Sequence, residues 1–288
     1  MRATDVARLV LLAAIWGASF IFMRTLAPVL GPVLTAQARV TIAGIALIAY
    51  FRFTGFDAGL RRHWRHFLVI GLVNSALPFL LFAFAAVHLP ASYSAILNAA
   101  TPLFAVLLSA LWLGERLTAP RIAGLAAGVA GVALVTRAGP VAPDAMFGWA
   151  TAACLVAALC YALAGIYIKR RATGVKPMAI AGWSQMFAGL ALLPLTPFAP
   201  ATGTLTGIVV ANMLALALLC SAVAYLLYYR LIADLGPSRA MSVTFLIPLF
   251  GMLWSVLFLD ETITLPMLAG CALIVGGTLL VVRPARRA

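Results

Sequence analysis

Arg39 is the one charged residue that falls deep within an apolar stretch, the eighth residue of the run that opens at Pro32. A guanidinium in such a place has two uses. It meets a substrate carboxylate through its planar fork of donors, or it bonds helix-end carbonyls and holds a bundle together. Gln37 and Gln185 are its candidate polar neighbours. Other polar and aromatic residues recur with helical spacing. Asn74, Pro78 and Phe82 stand at i, i+4, i+8, and Ser94, Asn98 and Thr101 at i, i+4, i+7, a spacing that Ser221, Tyr225 and Tyr228 repeat. Thr244 occupies the position that matches Asn98 in a later segment. Each set lies on one side of its helix, as cavity-lining residues must. Single hydroxyls serve equally well as interhelical hydrogen bonds. The amides of Asn74 and Asn98, which both donate and accept, suit either role. Trp16, Phe79, Tyr161, Trp183 and Tyr225 offer ring faces to a planar substrate or to plain packing.

Chemistry that is missing narrows the function. All seven acidic residues (Asp5, Asp57, Glu115, Asp144, Asp234, Asp260 and Glu261) and all three histidines (His63, His66 and His88) fall in loops or at the ends of apolar runs. Proton-driven carriers commonly titrate a carboxylate or histidine within the membrane, so facilitated export, or coupling by another route, is favoured over classical proton antiport. Glu115 and Glu261 are expected to satisfy helix ends across a repeat interface rather than carry protons. No intramembrane Asp pair, His-Glu-x-x-His helix, Gly-x-Ser-x-Gly elbow or phosphate cradle is present, which argues against a membrane-embedded enzyme. No catalytic residue, cofactor or metal site is expected. Cys154, Cys160, Cys220 and Cys271 all sit in apolar runs without metal or disulfide-framework spacing and read as packing.

The elements that must position these residues are membrane spans. Of 288 residues, 65% are hydrophobic and 9% charged, with a mean hydropathy of +1.10. That excess over a soluble domain makes lipid the solvent. Runs near 7–27, 32–51, 66–87, 91–113, 121–136, 148–168, 177–197, 207–232, 237–259 and 266–282 each approach the roughly 20 residues that cross a bilayer. The run after Arg8 suits an uncleaved first helix. The net charge of +13 does not form a nucleic-acid surface, because the basic residues cluster in short flanks between runs. Alternate loops hold 17 basic residues, from Arg2 and Arg8 through Arg61, Arg62 and Lys169 to Arg283, Arg286 and Arg287, against Arg24 and Arg137 on the other side. Ten spans with both termini in the cytoplasm of a bacterial inner membrane follow from that bias.

The segment from Leu89 realigns without a gap on the segment from Leu235, at a constant shift of 146. Ser92/Ser238, Pro102/Pro248, Glu115/Glu261, Gly124/Gly270 and Gly131/Gly277 fall in register. Trp16/Tyr161, Arg24/Lys169 and Pro32/Pro177 correspond more weakly in the earlier helices. The unit is therefore five helices, spanning 1–138 and 146–284. An odd number inverts the second copy, the arrangement of secondary transporters around a central cavity. Pro102 and Pro248, matched beside polar residues, are candidate hinges. The glycines of Gly124-x-x-x-Gly128, with Gly131, Gly270, Gly276 and Gly277, read as close-packing or dimerisation faces.

The run PLF…L-x-E/D-E-x-T-x-P-x-x-x-x-G, present twice, resembles the EamA-type domain of the drug/metabolite transporter superfamily, as do Trp16-Gly17, Arg24 and Arg39. The resemblance covers essentially the whole chain. It implies ten helices, a central cavity and export of small metabolites, especially amino acids; the nearest functional type is the YddG-like exporter of aromatic and other bulky amino acids. A broad drug exporter is the alternative. Lipid and a small-molecule substrate are the partners expected, in a monomer or weak homodimer.

Overall fold

A computed structural model describes residues 2–141 and 144–282. Arg283, Arg286 and Arg287, counted above with the basic side, lie outside the described residues, as does the side chain of Ser238. The described residues form helices and turns with no strand among them. With no water in hydrocarbon to satisfy backbone groups, helices that bond internally are one of the two forms that can span it. The order is α1 (Ala3–Thr54), α2 (Leu60–His88), α3 (Ala91–Leu113), α4 (Ala119–Ala138), α5 (Ala145–Arg171), α6 (Pro177–Phe198), α7 (Gly207–Leu235), the short α8 (Pro237–Ala240), α9 (Val243–Leu259) and α10 (Leu265–Val282). All but α8 and α9 are long and apolar enough to cross a membrane, and α9 is a shorter apolar helix of 17 residues. The chain is a multi-pass membrane protein.

α1 is two arms rather than one rod. Gly31 has φ 76° and ψ 158°, a conformation closed to side-chain-bearing residues, and Pro32 follows it. The connection expected between the runs 7–27 and 32–51 is thus a sharp break at Gly31-Pro32, and Arg39 rides on the second arm.

The inversion is written in glycine contacts. A side chain on Gly131 would strike the carbonyl of Gly270, and one on Gly124 the carbonyl of Gly277. Those two contacts exchange under the shift of 146, and the residue numbers fall on α10 as they rise on α4. Gly44 meets the backbone of Met186 while Gly189 meets Thr41, a second pair that exchanges under a shift of 145 between α1 and α6. Two antiparallel helix pairs therefore cross on one pseudo-twofold axis, each where a missing Cβ lets backbones touch. Gly124, Gly131, Gly270 and Gly277 are spent on this contact within the chain, Gly128 packs against Leu103, and Gly276 has nothing within 4 Å of a Cβ.

Three irregularities place polar groups in the interior. α2 is wound as a π-helix over Leu72–Ala76 and α7 over Ala215–Val223, segments that match under the repeat. The wider turn shifts hydrogen-bond register and is a frequent mark of functional sites. α3 is interrupted at Ala99 and Ala100, and Pro102 opens its second half. The corresponding break of the second unit lies at Met241 and Ser242, one turn earlier than the repeat predicts. Pro248 consequently sits inside α9 rather than at a break. The sequence expectation of two equivalent prolines at two equivalent kinks needs this correction: each unit has its own register of interruption.

A further motif is repeated faithfully. Gly114 (φ 68°) and Asp260 (φ 52°) end α3 and α9 in the left-handed region. The next residues, Glu115 and Glu261, donate their N–H groups to Ser109 and Ser255. This six-residue closure satisfies a helix-end carbonyl and explains the Gly/Asp-Glu pattern of the sequence.

Candidate substrate site

Arg39 is 5% exposed and forms no ion pair among the described residues. Its Nε donates to the Ser221 hydroxyl at 3.0 Å, and Nη1 lies 3.6 Å from the Met23 sulfur. Its Cζ sits 3.8 Å from the centre of the Phe79 ring. Ser221 is held by the π-wound turn of α7, where its hydroxyl donates to the Leu216 carbonyl five residues back at 3.3 Å. That bond leaves an oxygen lone pair for Arg39. A desolvated guanidinium over a ring gains about 2 kcal/mol, far less than burying an unpaired cation costs. The guanidinium is thus buried with a hydroxyl, a thioether and a ring face for neighbours and no carboxylate among the described residues.

Around this centre the structure gathers most of the expected residues. Trp16 lies 5.3 Å from Tyr228 and 6.3 Å from Tyr225 between ring centres. Phe82 stacks near Tyr161 at 6.2 Å and meets Phe20 edge-on at 5.6 Å. Phe79 and Tyr161 share one apolar cluster with Val40, the neighbour of Arg39. The Asn74 amide faces the Tyr225 hydroxyl. Gln185 is fully buried with neither amide atom partnered among the described residues. On α6 it lies between Ala181, packed near Tyr225 and Leu47, and Ala188, packed with Val40 and Phe79. Ser75, the repeat mate of Ser221, also has a buried hydroxyl without a partner. Buried amides and hydroxyls are ordinarily hydrogen-bonded, so Gln185 and Ser75 are candidates to bond a polar ligand.

Other expected residues are placed elsewhere. Trp183 lines a surface cavity of about 200 Å³ with Phe51, Arg52, Phe56 and Asp57, at the basic end. Gln37 bonds Thr41 on its own helix at 3.0 Å rather than Arg39. Thr101 and Thr244 donate to carbonyls three residues back, Asn98 and Met241, in matching bonds of 2.8 Å. Ser94 faces Cys154. Asn98 ends the first half of α3 with its Oδ1 buried and unpartnered. Pro78 is buried two residues past the π turn of α2. Met23 and Phe20, one turn of α1 apart, belong to the site by contact and are ordinary apolar residues in the sequence. The cysteines are free and buried. Among the described residues no group of three or more His, Cys, Asp or Glu gathers as for a metal.

The site thus joins a buried cation to an aromatic lining at the meeting of α1, α2, α5, α6 and α7. The model of the EamA-like transporter family matches the chain twice, over residues 6–137 and 148–283. The chain belongs to the EamA-like transporter family. This transporter is 28% identical to an uncharacterized transporter, YvbV, of Bacillus subtilis, over 95% of this chain and 90% of that one. It is equally 28% identical to a probable terminal-alkyne amino-acid exporter of Streptantibioticus cattleyicolor, over 96% and 92% of the two chains. Protein PecM of Dickeya dadantii is 28% identical over 93% and 88%. A solved crystal structure superposes with a TM-score of 0.66 at 23% identity, over 97% of this chain and 96% of the other, and so shares the fold. The EamA-like transporter is a multi-pass bacterial membrane protein that moves a small molecule.

Proposed function

We propose that this transporter exports amino acids, chiefly aromatic or other bulky neutral ones, across the inner membrane by facilitated alternating access. One observation carries the reading: Arg39 is a buried guanidinium without a carboxylate partner, flanked by an aromatic lining. A substrate carboxylate completes the pairing, and a bulky side chain fills the space among Trp16, Phe82, Tyr161 and Tyr225. Asn74 and Gln185, whose amides can accept hydrogen bonds, take the amino group. A relative whose name specifies amino-acid export supports the substrate class.

The wider frame belongs to the same proposal. Ten crossings result when the arms of α1 count as two and α8 with α9 as one, with both termini cytoplasmic as the basic bias requires. The units are 1–138 and 146–284, and the two stretches matched by the family model support that division. Pro102 and Pro248 act as hinges about the site. Four glycines of α4 and α10 (Gly124, Gly131, Gly270 and Gly277) are used within the chain, which favours the monomer as the working unit.

Ligand-induced thermal stabilisation of the purified protein tests the site. L-Phenylalanine or L-tryptophan should raise the melting temperature of the wild type, and the corresponding amino-acid amides, lacking the carboxylate, should not. Equal stabilisation by acid and amide would remove Arg39 from recognition.

A further inference from the structure

The two units hold their hairpins differently. On the side opposite the basic loops, the hairpin joining α2 to α3 is gripped at both ends. Arg24 donates through Nη1 to the carbonyls of Ala86 at 2.7 Å and Val87 at 3.0 Å, where α2 ends. Glu261 accepts from the backbone N–H of Ala91 at 2.6 Å and Ser92 at 3.0 Å, and from the Ser92 hydroxyl at 2.7 Å, where α3 begins. A cation at a helix C-terminus and a carboxylate at an N-terminus both complement the helix dipole. The stretch behind them is closed: Tyr93, Ala95 and Ile96 are each 0% exposed.

The repeat gives every member of this grip a mate on the basic side. Lys169 matches Arg24, Glu115 matches Glu261, and residues 232–238 match the hairpin at 86–92. These mates hold one another instead. Lys169 Nζ is 3.5 Å from Glu115 Oε1, and Arg121 Nη2 is 3.4 Å from Oε2, in a partly exposed cluster. Beyond the matching hairpin the chain is less closed: Met241, mate of the buried Ala95, is 50% exposed, although Ala240 and Val243 beside it are 0% exposed.

We propose that Arg24 with Glu261, and Lys169 with Glu115, are positioning residues that form two alternating latches of the transport cycle. The first pair holds the outer hairpin shut in the state described here. When it releases, Lys169 and Glu115 part; Lys169 turns to the carbonyls at 232 and 233, and Glu115 to Ser238 and Arg239. The latches are unequal by sequence. Ala91, an N–H donor to Glu261, is replaced by Pro237, which has none, and Tyr93 is replaced by the cation Arg239. The inner latch therefore trades a backbone hydrogen bond for an exposed ion pair, and salt weakens it more than the outer one.

The inference rests on alternating access, yet its test needs no substrate. Two cysteine pairs, Ser92→Cys with Glu261→Cys and Glu115→Cys with Ser238→Cys, are introduced singly and together into the transporter in native membrane vesicles. Disulfide formation under copper-phenanthroline is read by protection from maleimide-polyethylene glycol. Both pairs should cross-link, but oxidising one in the fourfold variant should suppress the other by about tenfold. Adding Glu261→Gln to the inner pair should raise its yield several-fold, since loss of the outer latch shifts the population. Arg24→Met should do the same, and stands in should Glu261→Gln fail to assemble. No inner cross-link where the outer pair forms, both cross-links in one molecule, or an inner yield unmoved by Glu261→Gln and Arg24→Met would each overturn the latches. Failure of amino-acid binding in wild-type protein would instead overturn the substrate reading alone.

Discussion

The guanidinium carbon of Arg39 lies 3.8 Å from the centre of the Phe79 ring, with its Nε 3.0 Å from the Ser221 oxygen. Lysine at position 39 keeps the charge but loses the flat face and the fork of donors. Arg39→Lys should assemble normally and raise the half-saturation concentration for amino acids by about tenfold, equivalent to about 1.4 kcal/mol. Phe79→Leu should give a smaller loss of the same kind. Transport by reconstituted variants over a substrate series checks both.

Gly131 presses on α10 so closely that a Cβ there would lie 2.6 Å from the Gly270 carbonyl oxygen. Gly131→Val should separate the two helices at a cost of about 3 kcal/mol and yield aggregated protein on size-exclusion chromatography. Gly148→Val is the control, because nothing lies within 4 Å of a Cβ at that position.

Asp260 carries a left-handed backbone conformation that its repeat mate Gly114 adopts without strain. Asp260→Gly should stabilise the fold by about 1 kcal/mol, visible as a raised melting temperature in detergent. Transport should be unchanged, since Glu261 retains its bonds to Ala91 and Ser92.

Much of this was legible in the residues themselves. Apolar runs and the basic bias located the helices, and Pro, Gly and Glu in register announced an inverted repeat that the Gly124–Gly277 and Gly131–Gly270 contacts then make physical. Arg39 stood out because no other charge lies so deep. The π-wound turns at 72–76 and 215–223 left no trace, because a change of hydrogen-bond register needs no change of composition. Ser221 could therefore be put on a polar helix face but not against Arg39. Trp183 is the opposite case: an aromatic residue expected at the site that lines a separate cavity with Phe51, Arg52 and Asp57. The sequence suggests a helix end for Glu261, and the packing of α3 against α9 makes it the N-terminus of α3, at Ala91 and Ser92.

Pro248 lies in the interior of α9, where its ring blocks a bond to the Thr244 carbonyl; Pro102 starts a helix and blocks none. Pro248→Ala should restore that bond, stiffen α9 and slow transport several-fold while leaving the affinity for amino acids intact. Pro102→Ala should have the milder effect. Paired measurements of equilibrium binding and initial transport rate separate a hinge from a static kink.

Counterflow in proteoliposomes tests the central claim most directly. Vesicles loaded with unlabelled L-phenylalanine or L-tryptophan should accumulate the labelled amino acid transiently without any imposed ion gradient. Arg39→Gln, with normal assembly, should abolish the overshoot. Sugars and nucleosides should produce none. Contradiction would be the absence of counterflow for every amino acid in a wild-type preparation that exchanges planar organic cations, or an overshoot that survives Arg39→Gln undiminished.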